Sequence, residues 1–324
     1  MGKTRSLLLY PTFDPQLVNY NLKYFPMKVF VTGATGFVGS IVVQQLLEGG
    51  HQVIGLARSD ASARSLEAAG VEVHRGSIGD LDSLRRGAEQ ADGVIHTAFD
   101  HDFSKFKANS EADRHAIEAL GAALAGSERS LIITSAIGIL ASGQLVREDD
   151  RPPADSPNPR VASEEAADAV ASRGVRVAVV RLPPSVHGEG DHAFVPTLIH
   201  IAREKGMAVY QGDGNNHWPA VHRFDAARVY RLALELDFTP GTRFHAVAEE
   251  GVPFRQIAEV IGQKLDVPVV AKSPEEAAEY FGSFAHFAAL NLRADSKQTR
   301  HSLSWQPKYP GLIADLEGSS YFPS

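Results

Sequence analysis

The chain has 324 residues, of which 44% are hydrophobic and 22% are charged, a composition typical of globular proteins. It contains no cysteine, which excludes disulfide bonds, cysteine-ligated metal centres and a thiol nucleophile. The 32 basic and 39 acidic residues give a net charge of −7, which argues against a nucleic-acid or anionic-membrane binder. No apolar stretch approaches the roughly 18 residues that a bilayer span requires. We therefore expect a soluble, cytoplasmic protein.

Residues 1–26 are predicted to form a flexible N-terminal extension. The segment holds three of the eight tyrosines of the chain and has neither a helical nor a strand periodicity. It lacks the apolar core and the cleavage site of a secretory signal. Its first residues match the myristoylation pattern, but one acyl chain gives only marginal membrane binding. The first predicted strand starts just after Met27.

A strand, a glycine-rich turn and a helix follow Met27 directly. Lys28–Val31 is a short β-prone run, residues 32–39 read TGATGFVG, and Ser40–Glu48 has apolar residues at helical spacing. Glycines in such a turn let backbone N–H groups approach a pyrophosphate, whose negative charge the helix N-terminus favours. The pattern therefore predicts a dinucleotide site. The predicted contacts in the turn are Gly33, Thr35, Gly36, Phe37, Val38 and Gly39.

The second predicted strand, Gln52–Leu56, indicates which dinucleotide is bound. It ends about 20 residues after the turn, where an acidic residue would bind a free ribose 2′-hydroxyl. Ala57 stands at this position, and Arg58 and Ser59 follow it. A guanidinium group favours a 2′-phosphate. We therefore predict that Arg58 and Ser59 contact NADP(H), with NAD(H) as the second choice.

Strands and helices continue to alternate up to residue 186. The predicted strands are Val71–His74, Gly93–Thr97, Ser130–Thr134 and Val175–Arg181, and the predicted helices are Ala61–Ala69, Leu81–Gln90, Glu111–Ala125 and Val161–Ser172. Such alternation predicts an α/β Rossmann fold over residues 27–186, with a doubly wound parallel sheet and ligands beyond the carboxyl ends of its strands. The other predicted cofactor contacts lie at these ends: Ser77, Thr97, Ala98, Thr134, Pro183, Ser185 and Val186.

Residues 187–324 are predicted to form a smaller α/β substrate-binding lobe, interleaved with the Rossmann core. The predicted elements are helices Phe194–Lys205, Ala226–Leu236, Phe254–Leu265 and Pro274–Phe281 and strands Arg243–Val247 and Val267–Ala271. The aromatic-rich segment 281–290 could line an apolar pocket or belong to the core. The segment 101–107 could cover the site as a lid or form an ordinary exposed loop.

These motifs resemble the extended short-chain dehydrogenase/reductase superfamily, also called the NAD-dependent epimerase/dehydratase family. Residues 32–39 match its TGxxGxxG turn, and residues 94–98 are similar to its strand-four motif. Residues 181–191 resemble its R-P-x-x-V-Y-G-P-G-D segment beside the nicotinamide, and residues 220–225 resemble its V-H-V-x-D segment. The similarity extends to residues 296–307. The resemblance implies a Rossmann fold and a nicotinamide-dependent enzyme.

The chain departs from the usual Tyr-x-x-x-Lys pair of that family, in which tyrosine is the general acid/base and lysine lowers its pKa. Residues 25–209 contain no tyrosine, and residues 108–204 contain no lysine. Arg160 and Glu164 stand near the positions where the pair is expected. This departure resembles the atypical subgroups of the superfamily, which keep the cofactor motif and lose the usual catalytic residues.

Ser135, His187 and Tyr210 are the predicted catalytic residues. The family's catalytic serine corresponds to either Ser135 or Ala136. His187 replaces the tyrosine of the V-Y-G-P-G segment, and histidine suits proton transfer near neutral pH, although such a ring could also merely bind a loop carbonyl. Tyr210 could reach the cleft or serve as packing. The spacing of the 13 histidines does not fit a metal-ligand set, so we predict no metal site.

The predicted function is an NADP(H)-dependent oxidoreductase that acts on a small carbonyl, imine or conjugated alkene. Conjugate reduction suits the site best, because water can protonate the enolate that results. The alternatives are a non-redox isomerase, epimerase, dehydratase or cyclase on the same scaffold, and a non-catalytic NADP(H)-binding regulator. We expect a small-molecule substrate and a monomer or homodimer. The resemblance implies that a dimer would pair through the helices at 111–125 and 161–172.

Overall fold

The computed structural model describes residues 26–140, 143–318 and 320–322. Of the predicted N-terminal extension at 1–26, only Pro26 is among them, and the rest lies outside the described residues. Within the described ranges, no helix is both long enough and apolar enough to cross a bilayer.

The first part of the chain alternates between strands and helices, as predicted. Its strands are β1 (Lys28–Thr32), β2 (Gln52–Ala57), β3 (Glu72–Arg75), β4 (Gly93–His96), β5 (Ser130–Ala136), β6 (Leu145–Val146) and β7 (Arg176–Leu182). Its helices are α1 (Gly39–Glu48), α2 (Asp60–Ala68), α3 (Leu81–Glu89), α4 (Phe106–Leu124) and α5 (Val161–Ser172), with short 3-10 helices at Phe103–Lys105 and Ile137–Leu140.

The predicted start of the fourth helix at Glu111 is wrong, because α4 begins at Phe106. A 3-10 turn precedes it, and the Asp102 carboxylate accepts hydrogen bonds from the Ser104 N–H and hydroxyl groups. This local cap starts the helical turn early. The segment predicted as a lid or an exposed loop is therefore mostly helical, and its Phe103 ring lies 5.1 Å from that of Phe287 in the second half of the chain.

The second part of the chain has shorter strands. They are β8 (Ser185–His187), β9 (Ala208–Gln211), β10 (His217–His222), β11 (Thr242–His245), β12 (Glu249–Pro253), β13 (Val269–Lys272) and β14 (Arg293–Ala294). The helices are α6 (Phe194–Lys205), α7 (Arg223–Glu235), α8 (Phe254–Leu265), α9 (Pro274–Phe281), α10 (Ala285–Ala288), α11 (Lys297–Ser302) and α12 (Leu312–Glu317), with a 3-10 helix at Gly282–Phe284. The sequence analysis missed β8, β9, β10, β12 and β14, because runs this short carry little periodicity.

Seven parallel strands form the central sheet in the order β11-β7-β5-β4-β1-β2-β3. The predicted Rossmann-type α/β fold is therefore confirmed. Buried side chains of α1 and α7 cover one face of the sheet, and those of α3, α4 and α5 cover the other. The strand order reverses between β1 and β4, so the ligand crevice of such a sheet lies at the carboxyl ends of these two strands.

The chain after residue 187 contributes to both cores. Helix α7 and strand β11 return to the central sheet, where Val229 and Phe244 are buried. A second core lies between α6, α8, α9 and β9, and Trp218 and Phe254 are fully buried in it. Phe281 also belongs to this second core, so this part of the aromatic-rich segment serves packing.

Close packing of α3 on β1 yields a stability prediction. A Cβ atom at Gly87 would lie 2.4 Å from the ring of Phe30, which is fully buried and cannot move aside. Overpacking costs about 1–3 kcal/mol, whereas alanine improves helix propensity by about 1 kcal/mol, so we expect Gly87→Ala to be net destabilising. The urea midpoint should fall. Gly138→Ala is the control, because its Cβ would meet no atom within 4 Å. Equal midpoints for the two variants would contradict this packing.

Candidate active site

The glycine-rich turn joins β1 to α1 at the carboxyl edge of the sheet. Gly33 has a φ of +67°, and a Cβ atom there would lie 2.7 Å from the Ala98 backbone nitrogen. A Cβ atom at Gly39 would lie 2.1 Å from the Gly33 carbonyl oxygen. Only glycine fits such contacts. The turn therefore lies directly against the end of β4, at the point where the strand order reverses.

The N-terminus of α1 is suited to a phosphate group. Within the described part of the chain no side chain caps its first turn, and that turn contains no acidic residue. The first N–H groups of a helix have no partner within the helix, and the helix dipole favours an anion there. A dinucleotide diphosphate therefore fits this turn, and Phe37, Val38 and Gly39 are the residues that would hold it.

The ends of β1, β4 and β5 are tied together by hydroxyl groups. Thr97 donates a hydrogen bond from Oγ1 to the Thr32 carbonyl oxygen at 2.8 Å. Thr134 donates from Oγ1 to the His96 carbonyl oxygen, also at 2.8 Å, and the Tyr230 hydroxyl lies 2.9 Å from the same Oγ1. Two of the predicted cofactor contacts, Thr97 and Thr134, therefore hold the strand ends in place.

The remaining predicted cofactor residues differ in their surroundings. Arg58 is exposed just after β2, whereas the Ser59 hydroxyl accepts a hydrogen bond from the Ser62 N–H group and caps α2. Ser77 is half-buried after β3. Ser185, at the start of β8, is buried, and its hydroxyl has no hydrogen-bond partner among the described residues. Ser59 thus has a structural role in addition to its predicted contact.

Arg160 is buried in an ion-pair network close to the carboxyl ends of β4 and β5. Its Nη1 donates to the Asp113 carboxylate at 2.5 Å, and its Nη2 donates to the Thr134 carbonyl oxygen at 2.9 Å. The Asp113 carboxylate also accepts from His96 Nε2 at 2.9 Å and from the Ser163 hydroxyl at 2.6 Å. Burial alone would raise the pKa of Asp113, but Arg160 and His96 outweigh it and hold that pKa below its ordinary value.

Glu164, one helical turn further along α5, lies in a second buried network. Arg181 donates to both of its carboxylate oxygens, at 2.7 and 2.8 Å, and Arg243 donates to one of them at 3.3 Å. Glu164 is 1% exposed and Arg181 is 0% exposed. Burial alone would raise the pKa of Glu164, but the two guanidinium groups outweigh it and lower that pKa. His245 on β11 lies 3.2 Å from Arg181 Nη1, and burial lowers its pKa to about 4.

Comparison with known proteins identifies the family. Residues 29–244 match the model of the NAD dependent epimerase/dehydratase family. The chain belongs to this family. An uncharacterized protein of Schizosaccharomyces pombe is 49% identical over 91% of this chain and 100% of its own length. The 2-alkyl-3-oxoalkanoate reductase of Stenotrophomonas maltophilia is 28% identical over 85% of this chain and 87% of its own length. Members of the family bind a nicotinamide dinucleotide.

A solved structure shares the fold. The UDP-glucose 4-epimerase of Thermotoga maritima superposes with a TM-score of 0.69 at 21% identity, over 90% of this chain and 96% of that chain. Arg160 and Glu164, which the sequence analysis predicted near the positions of the catalytic pair, are both buried in ion pairs.

The three predicted catalytic residues lie in different environments. His187 is 0% exposed, its Nδ1 lies 2.7 Å from the Asp315 carboxylate, and its Nε2 has no partner among the described residues. Ser135, at the end of β5, is buried, and its hydroxyl forms no hydrogen bond with the described residues, although it lies near the Glu164 carboxylate, whose pKa it helps to lower. Tyr210 lies on β9 in the lobe, where it packs against Arg255. This contact lies within the lobe and does not bring Tyr210 to the crevice. The catalytic role of Tyr210 therefore stays a prediction.

Two clusters of aromatic and basic side chains lie beside the crevice, one after β4 and one at the glycine-rich turn. After β4, the Arg160 guanidinium lies 4.0 Å from the centroid of the Phe99 ring, and the His101 ring lies 5.2 Å from the same ring. In the glycine-rich turn, the Phe37 ring lies 5.8 Å from the His192 ring. Burial and the charge of Arg160 lower the pKa of His101. The sequence analysis had included His101 in the segment 101–107 that could cover the site.

The Glu164 network yields a stability prediction. Glu164→Gln would leave two buried guanidinium groups without their carboxylate, so we expect a loss of about 3–5 kcal/mol in the free energy of unfolding at neutral pH. Glu165→Gln is the control, because the side chain of Glu165 is 53% exposed and pairs with Arg114 at the surface. We expect it to change stability by about 1 kcal/mol or less. Urea denaturation measures the free energy of unfolding of both variants.

The same network predicts how this loss of stability depends on pH. The pKa of Glu164 is lower in the folded state than the ordinary value of 4.5, so its contribution is complete above that value and is lost as the pH falls below it. The difference between the wild type and Glu164→Gln should therefore shrink in acid. A difference that stays constant at all pH values, or one no larger than for Glu165→Gln, would contradict the network.

Proposed function

We propose that this chain is an NADP(H)-dependent oxidoreductase of the atypical short-chain type, acting on a small carbonyl, imine or conjugated alkene. When bound, the nicotinamide would supply or accept a hydride. The observation that carries the proposal is the uncapped N-terminus of α1, which lies at the reversal of strand order and packs on β4 through Gly33 and Gly39. This arrangement supports a bound dinucleotide.

The end of β2 supports NADP(H) over NAD(H). Ala57 is buried there and Arg58 is exposed, so the position lacks a carboxylate for a free ribose hydroxyl. The nearest acidic residue along the chain, Asp60, forms an ion pair with Arg75 at 2.8 Å. Arg58 is thus available to a 2′-phosphate, for which a guanidinium group is well suited.

Arg58→Gln tests the cofactor preference. We expect the affinity for NADPH to fall about tenfold, because one charge-assisted hydrogen bond is lost, while the affinity for NADH stays unchanged. Arg64→Gln on α2 is the control and should change neither affinity. Titration of NADPH and NADH fluorescence measures both dissociation constants. An equal loss for the two dinucleotides would contradict a 2′-phosphate contact.

The proton in this reduction must come from a group other than Arg160 or Glu164. Buried polar atoms nearly always have a partner, so an unpaired one points to a ligand or to water. Ser135 and His187 each carry one such atom, and His187 is held by Asp315 through its other nitrogen. We assign His187 as the proton donor and Ser135 as a hydrogen-bond partner of the substrate oxygen. An orienting carboxylate on histidine is a recurring device of proton transfer.

Consumption of NADPH with a panel of one carbonyl, one imine and one enone tests the reaction. We expect turnover with at least one of them, and His187→Gln should lower kcat about 100-fold or more while leaving the affinity for NADPH unchanged. His200→Gln, at an exposed position of α6, is the control. Tight NADPH binding without hydride exchange for any of the three classes would count against an oxidoreductase.

A second candidate function is an epimerase that recycles its nicotinamide within each turnover. The fold shared with a UDP-glucose 4-epimerase favours it. The two functions differ in stoichiometry, because an epimerase forms product without net consumption of dinucleotide. A dinucleotide that stays bound through gel filtration, together with product formation at constant NADPH, would favour the epimerase.

A further inference from the structure

Arg223 is a cation beside the glycine-rich turn, at the first position of α7. Its Nη2 donates to the Ser40 hydroxyl in the first turn of α1 at 3.0 Å, and its Nη1 donates to the Glu189 carbonyl oxygen at 2.6 Å. The guanidinium carbon lies 4.2 Å from the centroid of the Phe37 ring. These three contacts hold the charge of Arg223 at the N-terminus of α1.

No carboxylate forms a salt bridge with Arg223 in the part of the chain that the structure describes. Both acceptors of its guanidinium group are neutral, and its Nε is buried without a partner there. Burial lowers the pKa of Arg223, and the more distant Glu189 and Asp191 only partly oppose this. The guanidinium group therefore retains hydrogen-bonding capacity, and its charge is only partly compensated.

The position of this charge is electrostatically unfavourable unless an anion lies nearby. The N-terminus of a helix carries a partial positive charge and stabilises anions, so a half-buried cation beside it is repelled. Among the described residues, the four buried arginines each pair with a carboxylate, whereas the half-buried Arg223 does not. An anion in contact with both the helix N-terminus and the guanidinium group would remove the repulsion.

Gly188 and Phe37 pack directly against the side chain of Arg223. A Cβ atom at Gly188 would lie 3.1 Å from its Cγ, and the φ of Gly188 is +134°, so a side chain at that position would displace the arginine. The Phe37 ring forms a flat support for the guanidinium group, as expected of a cation–π contact. Gly188 thus leaves space for the aliphatic part of the Arg223 side chain, and the Phe37 ring contacts its guanidinium group.

We infer that Arg223 binds the diphosphate of the dinucleotide, as a cationic contact added to the backbone N–H groups of the glycine-rich turn. This inference rests on the dinucleotide site of the proposed function. It assigns different roles to two arginines: Arg58 distinguishes the 2′-phosphate, whereas Arg223 contributes equally to NADP(H) and NAD(H). It also links dinucleotide binding to α7, and through Glu189 to the loop that carries His192.

Competition binding with fragments of the dinucleotide tests the role of Arg223. The full chain is titrated with NADPH, NADH, ADP-ribose and adenosine 2′-monophosphate, of which only the last lacks a diphosphate. For Arg223→Gln we expect the affinity for the three diphosphates to fall about tenfold or more, since a charge-assisted contact is lost. The affinity for adenosine 2′-monophosphate should stay within about twofold. Arg223→Lys, which keeps the charge, should recover part of the loss.

Arg255→Gln is the matched control, because Arg255 also lies in the first turn of a helix and against an aromatic ring, that of Tyr210. It should leave all four affinities unchanged. Equal losses for all four ligands with Arg223→Gln would indicate a structural clamp and overturn the inference, as would unchanged affinities. If the wild type binds none of the three diphosphates, the proposed function fails with it. Thermal unfolding shows that each variant is folded, and Ser40→Ala replaces Arg223→Gln if the latter unfolds.

Discussion

The carboxylate of Glu164 lies between two guanidinium groups in the protein interior, where α5 meets β7 and β11. Arg181 donates two hydrogen bonds to it and Arg243 donates a third. Buried charges are tolerated only when they are paired and hydrogen-bonded, so α5 is held at one position on the sheet. Arg160 is fixed one helical turn earlier by Asp113 for the same reason. Helix α5 is therefore held in place by buried ion pairs at Arg160 and Glu164.

Under the proposed function, cofactor binding and proton transfer involve different parts of the chain. The glycine-rich turn packs closely against the end of β4, as the proposed dinucleotide site requires, and the proposed proton donor lies outside α5. His187 is linked to Asp315 in α12, and the Tyr321 hydroxyl accepts a hydrogen bond from the Gly188 N–H group and lies 3.0 Å from Asp191. The C-terminal segment thus positions the loop after β8. The proposed acid depends on the last elements of the chain rather than on α5.

The sequence predicted the central sheet well, because β1, β5 and β7 are continuous hydrophobic runs and the TGATGFVG turn has a local signature. It predicted neither the early start of α4 nor the short β9 and β10, where a turn cap or a distant partner strand decides the structure. The ion pairs were also out of reach: Arg160 and Asp113 are 47 residues apart, and Arg243 and Glu164 are 79 apart. Pairings at such separations leave no periodic pattern in a single sequence.

A crystal structure of the complex with NADP⁺ tests the central claim most directly, namely that the α5 charges stabilise the fold and leave proton transfer to other residues. We predict that the Arg160–Asp113 and Glu164–Arg181 pairs stay intact. Ser135 and His187 should be the polar side chains nearest the reactive carbon of the nicotinamide. A complex in which Arg160 or Glu164 leaves its partner and turns towards the nicotinamide, with His187 pointing away, would contradict the account.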